Sequence, residues 1–559
     1  MFPTAIENFS EVFAGNYPIF YLVFSVANGL FLYFSSLKCL LALQQSGYKS
    51  GRYLTWLANP DTPYLKRLMI LCLLGFLFFC VLNMCFAMVM LPLAASYIGF
   101  ASYFLFTGLY VKSESSINAK VPLKKTQRLI RLSATFIVLL AALTFGFLVL
   151  LDWAAFLIGD RIVGVLRYSL ICGLPVLTPY VLLIANALNY PFERGITKRY
   201  VKKTTAKLDA SKVVKIGITG SYGKTSVKEI LSTILSQKYR VLATQKSYNT
   251  PLGIALSVKR LDSTHDIFIA EMGARNRGDI KELCDIVKPS IAVLTGVNNQ
   301  HLESFKTIEN TKDTKYELME SLSEKGEAFF SADNEGSLEL YGRFGGRKHL
   351  AGLNRETGAE VFATDVKTSA KGTEFTLNFD GKEPVKCVTT LLGEHSVSNV
   401  CLAAAVAQKV GLKPEEIRDG IARLTSIGHR LELVPNNKKI VIIDDSYNSN
   451  EDGIKAAMKV LDQFGGRKIV LTPGLIELGK IENVANYEFG KTLVSHADKF
   501  IVIGKHNAEM LIKGLLDGGA NREDVIFAKT LNKGNALLNE MLKEGDVVLF
   551  ENDLPDNYS

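Results

Sequence analysis

Between a β-type run, Val213–Thr219, and a helical pattern, Val227–Gln237, lies the segment Gly220-Ser221-Tyr222-Gly223-Lys224-Thr225-Ser226. Glycines let a backbone curl until successive N–H groups face one point, and the first turn of a helix adds positive potential there. Such a loop cradles phosphate. A lysine at its end reaches the β- and γ-phosphates of a nucleotide, and the hydroxyl beside it is a hard-oxygen ligand for Mg2+. The spacing predicts these roles for Lys224 and Thr225, with Thr219, Gly220, Ser221, Gly223 and Ser226 framing the phosphates. Ile218 stands where the longer Walker pattern has its first glycine, so the form is Thr-Gly-x-x-Gly-Lys-Thr.

The elements around this loop alternate strand and helix. Strands are predicted at Asp266–Glu271 and Ser290–Thr295, and shorter alternating runs near 372–392 predict a small antiparallel patch. A second series begins after Lys438, with strands at Ile440–Asp444, Lys468–Thr472, Lys499–Ile503, Val525–Ala528 and Val547–Phe550. Such alternation predicts two mostly parallel, Rossmann-like sheets meeting near Ile427–Arg430. The eight cysteines form no CxxC or Cys/His cluster, which excludes a zinc or disulfide framework of the usual spacing.

The first 190 or so residues read differently. Stretches 12–37, 68–111, 132–151 and 168–192 carry no charged residue. About 20 apolar residues cross a bilayer, so the longest stretch predicts a hairpin turning near Pro92, giving five crossings. Basic residues crowd 46–67, 112–131 and 193–207. The positive-inside rule puts those stretches in the cytoplasm and the N-terminus outside, with 152–167 as a short external connection. Membrane orientation accounts for the formal net charge of +9, and no nucleic-acid recognition module accompanies it. Pro175 and Pro179 predict a kink in the last span. The expected organisation is a transmembrane helical domain (1–192), a basic linker (193–210), a central ATP-binding domain (211–427) and a Rossmann-like C-terminal domain (428–559).

Across 211–559 the chain resembles the Mur ligase family, which adds amino acids or dipeptides to peptidoglycan precursors. The likeness is carried by the loop above; by Glu271-Met272-Gly273 with Gly278-Asp279-Ile280; and by Leu294-Thr295 leading to His301-Leu302-Glu303. Thr307-Ile308-Glu309-Asn310 follows, with Lys315 downstream. Further on come Gly393-Glu394-His395-Ser396-Val397-Ser398-Asn399, Gly428-His429-Arg430-Leu431-Glu432, Asp444-Asp445-Ser446-Tyr447-Asn448-Ser449-Asn450 and Glu477-Leu478-Gly479. The last two runs are nearest to the family's D-alanyl-D-alanine-adding branch. The resemblance implies an ADP-forming ligase in which ATP phosphorylates an acceptor carboxylate and an amine displaces the phosphate. It implies that Thr225 and Glu271 hold one Mg2+, and that His301 and a carbamylated Lys315 hold a second, with Lys312 as the rival carbamate. It assigns Arg430 to the γ-phosphate, Asp445 to the ribose with Asp444 as the alternative, and His395 and Asn399 to the nucleotide. Asn249 reads equally as an acceptor contact and as a turn residue.

The chain departs from that family in three places. Membrane segments occupy the position of the domain that grips a UDP-sugar acceptor. The series ends in Glu551-Asn552-Asp553-Leu554-Pro555-Asp556 instead of a basic motif, a poor receptor for a carboxylate but a possible one for an amine. Ser331 and Asn486 replace an Asn and a His. The expected function is therefore a multi-pass ligase of the cytoplasmic (inner) membrane. It would join an amine, such as D-Ala-D-Ala, to a peptidoglycan-type or lipid-linked carboxylate acceptor. A membrane poly-amino-acid ligase is a variant of that reading, and a non-catalytic nucleotide-sensing membrane module is the alternative. A transporter ATPase would need a Walker-B aspartate and a signature segment, and the sequence has neither.

Overall fold

The computed structural model describes residues 17–59, 64–88, 122–158, 160–299, 305–369, 372–436, 439–447, 450–476, 481–505 and 507–552, with Leu105, Gly108, Leu109 and Leu478. The chain divides into two compact units, Met1–Ile196 and Thr197–Ser559.

The described part of the first unit is helical: α1 Tyr17–Ser35, α2 Leu37–Gln45, α3 Ser50–Ala58, α4 Tyr64–Met88, α5 Gln127–Ile158 and α6 Asp160–Ala210, which continues into the second unit. Small residues let α1 and α5 approach closely. A Cβ on Gly29 would stand 3.0 Å from the backbone nitrogen of Ala141, and Asn28 Nδ2 donates to Thr144 Oγ1 at 3.2 Å. Leu73, Val138, Ile184 and Leu188 face outward, where a water-soluble bundle places polar side chains.

Among the described residues, two helical segments are long and apolar enough to cross a membrane, Gln127–Leu151 and Gly173–Ala210. Tyr21–Ser35 with Leu37–Gln45 makes a third if that pair, bent by 53°, counts as one broken span. Five crossings were expected. The first half of the 68–111 run is α4; the proposed turn at Pro92 lies outside the described residues. The expected external connection 152–167 is helical on both sides of Gly159. The basic stretch 193–210, expected as a linker, is the C-terminal part of α6.

In the second unit, apolar runs buried on both faces form a parallel sheet, with helices covering each side. The elements are β1 Val214–Thr219, α7 Lys224–Leu235, β2 Val241–Ala243, α8 Pro251–Val258, β3 Ile267–Glu271, α9 Asp279–Val287, β4 Ile291–Leu294, α10 Ile308–Glu320, β5 Glu327–Ser331, α11 Glu335–Arg343, β6 Arg347–Gly352, β7 Val361–Ser369, β8 Gly372–Phe379, β9 Val385–Thr389, α12 Glu394–Val410 and α13 Pro414–Ala422. The strand order is β2-β3-β1-β4-β5-β6-β7-β8-β9. Pairing is parallel as far as β7, and β7, β8 and β9 pair antiparallel, which is the patch read from 372–392. Ala403, Ala404 and Ala407 on α12 are fully buried, and these short side chains let the helix pack into the core.

A second sheet follows: β10 Glu432–Leu433, β11 Val441–Asp445, α14 Glu451–Leu461, β12 Lys468–Thr472, α15 Glu482–Leu493, β13 Lys499–Ile503, α16 Ala508–Asp517, β14 Val525–Ala528, α17 Leu531–Met541 and β15 Val547–Glu551. Its order is β10-β11-β15-β12-β13-β14, parallel except for β10 against β11. Both sheets have helices on their faces, which leaves the carboxyl ends of the strands as the place for ligands.

Candidate active site

The expected residues gather at those strand ends. Thr219 closes β1, Glu271 closes β3, Thr295 follows β4 and Asp445 closes β11. The loop after β1 curls because Gly220 and Gly223 adopt positive φ of 153° and 74°. A Cβ at Gly220 would stand 2.0 Å from Thr295 Oγ1, and one at Gly223 3.0 Å from Asn399 Oδ1, so the curl tolerates only glycine at the first position. The segment that follows β4 fixes the loop: Ser221 N donates to Gly296 O at 2.8 Å, and Asn298 N donates to Ser221 Oγ at 3.2 Å. Gly223 caps α7, whose first turn carries Lys224 and Thr225.

Lys224 folds back onto its own loop, donating from Nζ to Gly220 O at 2.6 Å and Ser221 O at 2.9 Å. Desolvation lowers its pKa to about 8; Glu271 counteracts the shift and Arg430 adds to it. Thr225 Oγ1 donates to Glu271 Oε2 at 3.0 Å, and Asn249 Nδ2 donates to Glu271 Oε1 at 3.2 Å. A hydroxyl and a carboxylate in contact, beside a loop curled for phosphate, form a hard-oxygen donor set that fits Mg2+. Asn249, read as an acceptor contact or a turn residue, is thus a carboxylate partner. It also packs tightly, since a Cβ on Gly273 would stand 2.7 Å from its side chain.

Lys315, on α10, is 2% exposed. Desolvation and then the charge of Lys224 push its pKa well below the lysine range, which favours the neutral amine over the ammonium. Lys312 is paired instead with Glu339 at 2.5 Å. His301 lies outside the described residues.

The remaining expected residues line one cavity of about 750 Å³ whose walls include Gly223, Ser226, His395, Asn399, Arg430 and Asp445. Arg430 is aimed by a strained turn in which the flanking His429 and Leu431 have φ of 60° and 46°. Among the bonds that hold that turn, His429 Nδ1 meets Asp444 Oδ2 at 2.7 Å, His429 N donates to Glu432 Oε2 at 2.9 Å, and Leu431 N donates to Asp445 Oδ1 at 3.2 Å. Asp444 is therefore used in the turn, while Asp445 reaches the cavity. Desolvation raises the Asp445 pKa to about 6 against the opposing pull of Leu431 N–H and Arg430. His395 is kept neutral, its pKa lowered to about 4 by desolvation and then by Arg430. Its Nε2 is 3.1 Å from Ser396 Oγ, and its buried Nδ1 has no hydrogen-bond partner among the described residues.

The sequence reading missed three contributors. Lys228 is buried against Glu271 at 3.3 Å. Asn298 Nδ2 joins the two sheets by donating to Asn450 Oδ1 and Asp452 Oδ2, each at 3.0 Å. Tyr447 shares a hydrogen bond with Ser247 across the same divide.

Residues 218–407 match the family model described as Mur ligase middle domain, and residues 429–551 match the one described as Mur ligase, glutamate ligase domain. The UDP-N-acetylmuramoyl-tripeptide--D-alanyl-D-alanine ligase of Escherichia coli (strain K12) is 30% identical over 296 residues, covering 52% of this chain and 65% of that protein. The Bacillus subtilis (strain 168) protein of the same name is 27% identical over 339 residues, 60% and 72% of the two chains. Among solved structures, MurF from Acinetobacter baumannii aligns with a TM-score of 0.58 at 23% identity, over 64% of this chain and 77% of that one. The MurF ligase from Thermotoga maritima in complex with ADP aligns with a TM-score of 0.57 at 26% identity, over 64% and 80%.

Proposed function

Since the chain belongs to the Mur ligase family through its middle and C-terminal domains, we propose that it is an ATP-dependent ligase adding D-alanyl-D-alanine, or a related amine, to a peptidoglycan-type precursor at the cytoplasmic membrane. The observation that carries this reading is the meeting of Lys224, Thr225 and Glu271 at the carboxyl ends of β1 and β3, with Lys315 near enough for its charge to couple to that of Lys224.

In this reading the phosphates of ATP lie along the N–H groups of residues 220–225 and displace the carbonyls that now hold Lys224. Lys224 and Arg430 neutralise the γ-phosphate from opposite domains as charge spreads over its oxygens, the part of the reaction in which electrostatics contributes most. Thr225 and Glu271 would hold one Mg2+, which when bound would supply positive charge beside the phosphates. Lys315, shifted toward its neutral amine, would add CO2 and release a proton. The resulting carbamate is an anionic oxygen ligand, which with His301 suits a second Mg2+. The acceptor carboxylate attacks the γ-phosphorus and ADP leaves. The amine then attacks the acyl phosphate, phosphate departs, the nitrogen loses its proton, and an amide remains. Asp445 accepts from the ribose hydroxyls, and His395 and Asn399 face the nucleotide from α12.

The membrane half supports an acceptor found at the bilayer. The apolar helices and their outward-facing Leu73, Val138, Ile184 and Leu188 suit a lipid environment, and an anchored ligase gains most when its acceptor is confined to the same surface. A lipid-linked acceptor is therefore favoured over a freely diffusing one. The test uses detergent-solubilised full chain with ATP, Mg2+, UDP-linked and lipid-linked acceptors and a panel of amines, with products read by mass. The expected result is ADP, phosphate and an amide only when acceptor and amine are both present. ATP turnover that ignores the acceptor, or nucleotide binding without hydrolysis, overturns the ligase reading in favour of a nucleotide-sensing module.

A further inference from the structure

Lys228 follows Lys224 by four residues on α7, so both side chains leave the same side of the helix. Its side chain is 0% exposed. A buried ammonium is costly unless charge and hydrogen bonds surround it, and its neighbours supply both. Glu271 Oε2 lies at 3.3 Å, Glu229 Oε1 at 3.2 Å, and the carbonyl of Lys246 accepts from Nζ. Glu229 is 48% exposed and shares its charge with solvent, whereas Glu271 is 1% exposed and shares the interior with Lys228. Glu271 is held on its other sides by Thr225 at Oε2, by Asn249 at Oε1, and by Thr244 Oγ1, which accepts from its backbone N–H at 3.0 Å. Thr244, Lys246 and Asn249 belong to the single segment that follows β2. Lys228 is thus the cation that fastens this segment to the carboxylate closing β3.

We propose that Lys228 is a positioning residue of the phosphoryl-transfer site: its ammonium ties Glu271 to the 244–249 segment and occupies the same carboxylate oxygen that a divalent cation would take. The proposal rests on the reading of Glu271 as a Mg2+ ligand. Two consequences of opposite sign follow. The tether fixes the direction of the carboxylate, which favours turnover, because small displacements of a reacting group are expensive. The charge beside Oε2 opposes a second cation, which lowers affinity for Mg2+. A residue that merely filled space would produce neither effect alone, and its loss would weaken binding and turnover together.

The experiment compares full-length wild type with Lys228→Met, which keeps the length and removes the charge, and Lys228→Gln, which keeps a donor for the Lys246 carbonyl. Three quantities are read: the melting midpoint without ligand, the Mg2+ midpoint for binding of a fluorescent ADP, and turnover. For both variants the Mg2+ midpoint is expected to fall at least about threefold from loss of the opposing charge. Turnover is expected to fall roughly ten- to hundredfold, less for Gln than for Met, from loss of positioning. A Mg2+ midpoint that stays or rises in whichever variant melts within a few degrees of wild type overturns the proposal. If Lys228→Met does not fold, Lys228→Gln decides. A wild type that binds Mg2+–ADP but forms no amide overturns the ligase reading, while the midpoint shift still decides the role of Lys228.

Discussion

The guanidinium carbon of Arg430 lies 4.5 Å from the ring centroid of Tyr447, and the Tyr447 hydroxyl bonds Ser247 in the other domain. Stacking leaves the guanidinium edge free to address an anion while the ring fixes its plane. Arg430→Lys keeps the charge and loses the stack and the fork, so kcat should fall about a hundredfold, the scale of losing one transition-state donor. Tyr447→Phe removes only the hydrogen bond and should cost less than about tenfold, roughly one neutral bond. Steady-state kinetics on the two variants checks the order; equal losses would mean that the stack does not matter.

Lys224→Ala should abolish turnover while the melting midpoint moves by only a few degrees, because its partners are its own loop carbonyls. A loss of secondary structure by circular dichroism would contradict this.

Two titrations bound nucleotide affinity. The folded pKa of Lys224, about 8, is below the ordinary 10.5. Between those values the unfolded chain holds a proton the folded one lacks, so stability rises with pH across that window while the ammonium available to phosphate declines. Asp445 is raised from 3.8 to about 6. Between those values the folded state holds the extra proton, so stability falls as pH rises, while the carboxylate available to ribose grows. ADP affinity, corrected for the nucleotide's own titration, should therefore rise through about pH 6 and fall above about pH 8. Asp445→Asn should remove the acid limb alone, as calorimetry across pH would record.

Burial and the charge of Lys224 shift Lys315 toward its neutral amine, the form that takes up CO2. Lys315→Ala should lose turnover by at least about a hundredfold, and added short carboxylates should restore part of it by supplying the missing oxygens. Lys312→Ala, which breaks the pair with Glu339, should show no such rescue. Absence of rescue in Lys315→Ala would count against the carbamate.

Gly220→Ala places a methyl group 2.0 Å from Thr295 Oγ1 at a φ of 153°. The resulting overpacking should cost about 1–3 kcal/mol and remove ADP binding, read by denaturant melts and by fluorescent-nucleotide titration.

The sheets were legible in the sequence because strands buried on both faces become unbroken apolar runs; β12, β13 and β14 begin and end where the sequence placed them. The loop before Lys224 was legible because its chemistry and its geometry both depend on the same glycines. Lys228 was not, since its burial comes from β3 and from the segment after β2, and its helix sequence reads as an ordinary amphipathic pattern. Asn298 and Tyr447 were hidden for a related reason: their partners lie in the other domain, more than a hundred residues away.

In the six-stranded sheet, β15 is the last strand in chain order yet lies between β11 and β12, pairing with both. Until Val547–Glu551 has been synthesised, those two neighbours present bare backbone edges toward each other. Premature termination upstream of Val547 would thus leave a protein with its phosphate loop intact and two adhesive strand edges exposed, prone to self-association. Ribosomal stalling in this region is consequently a route to aggregation as well as to inactivity.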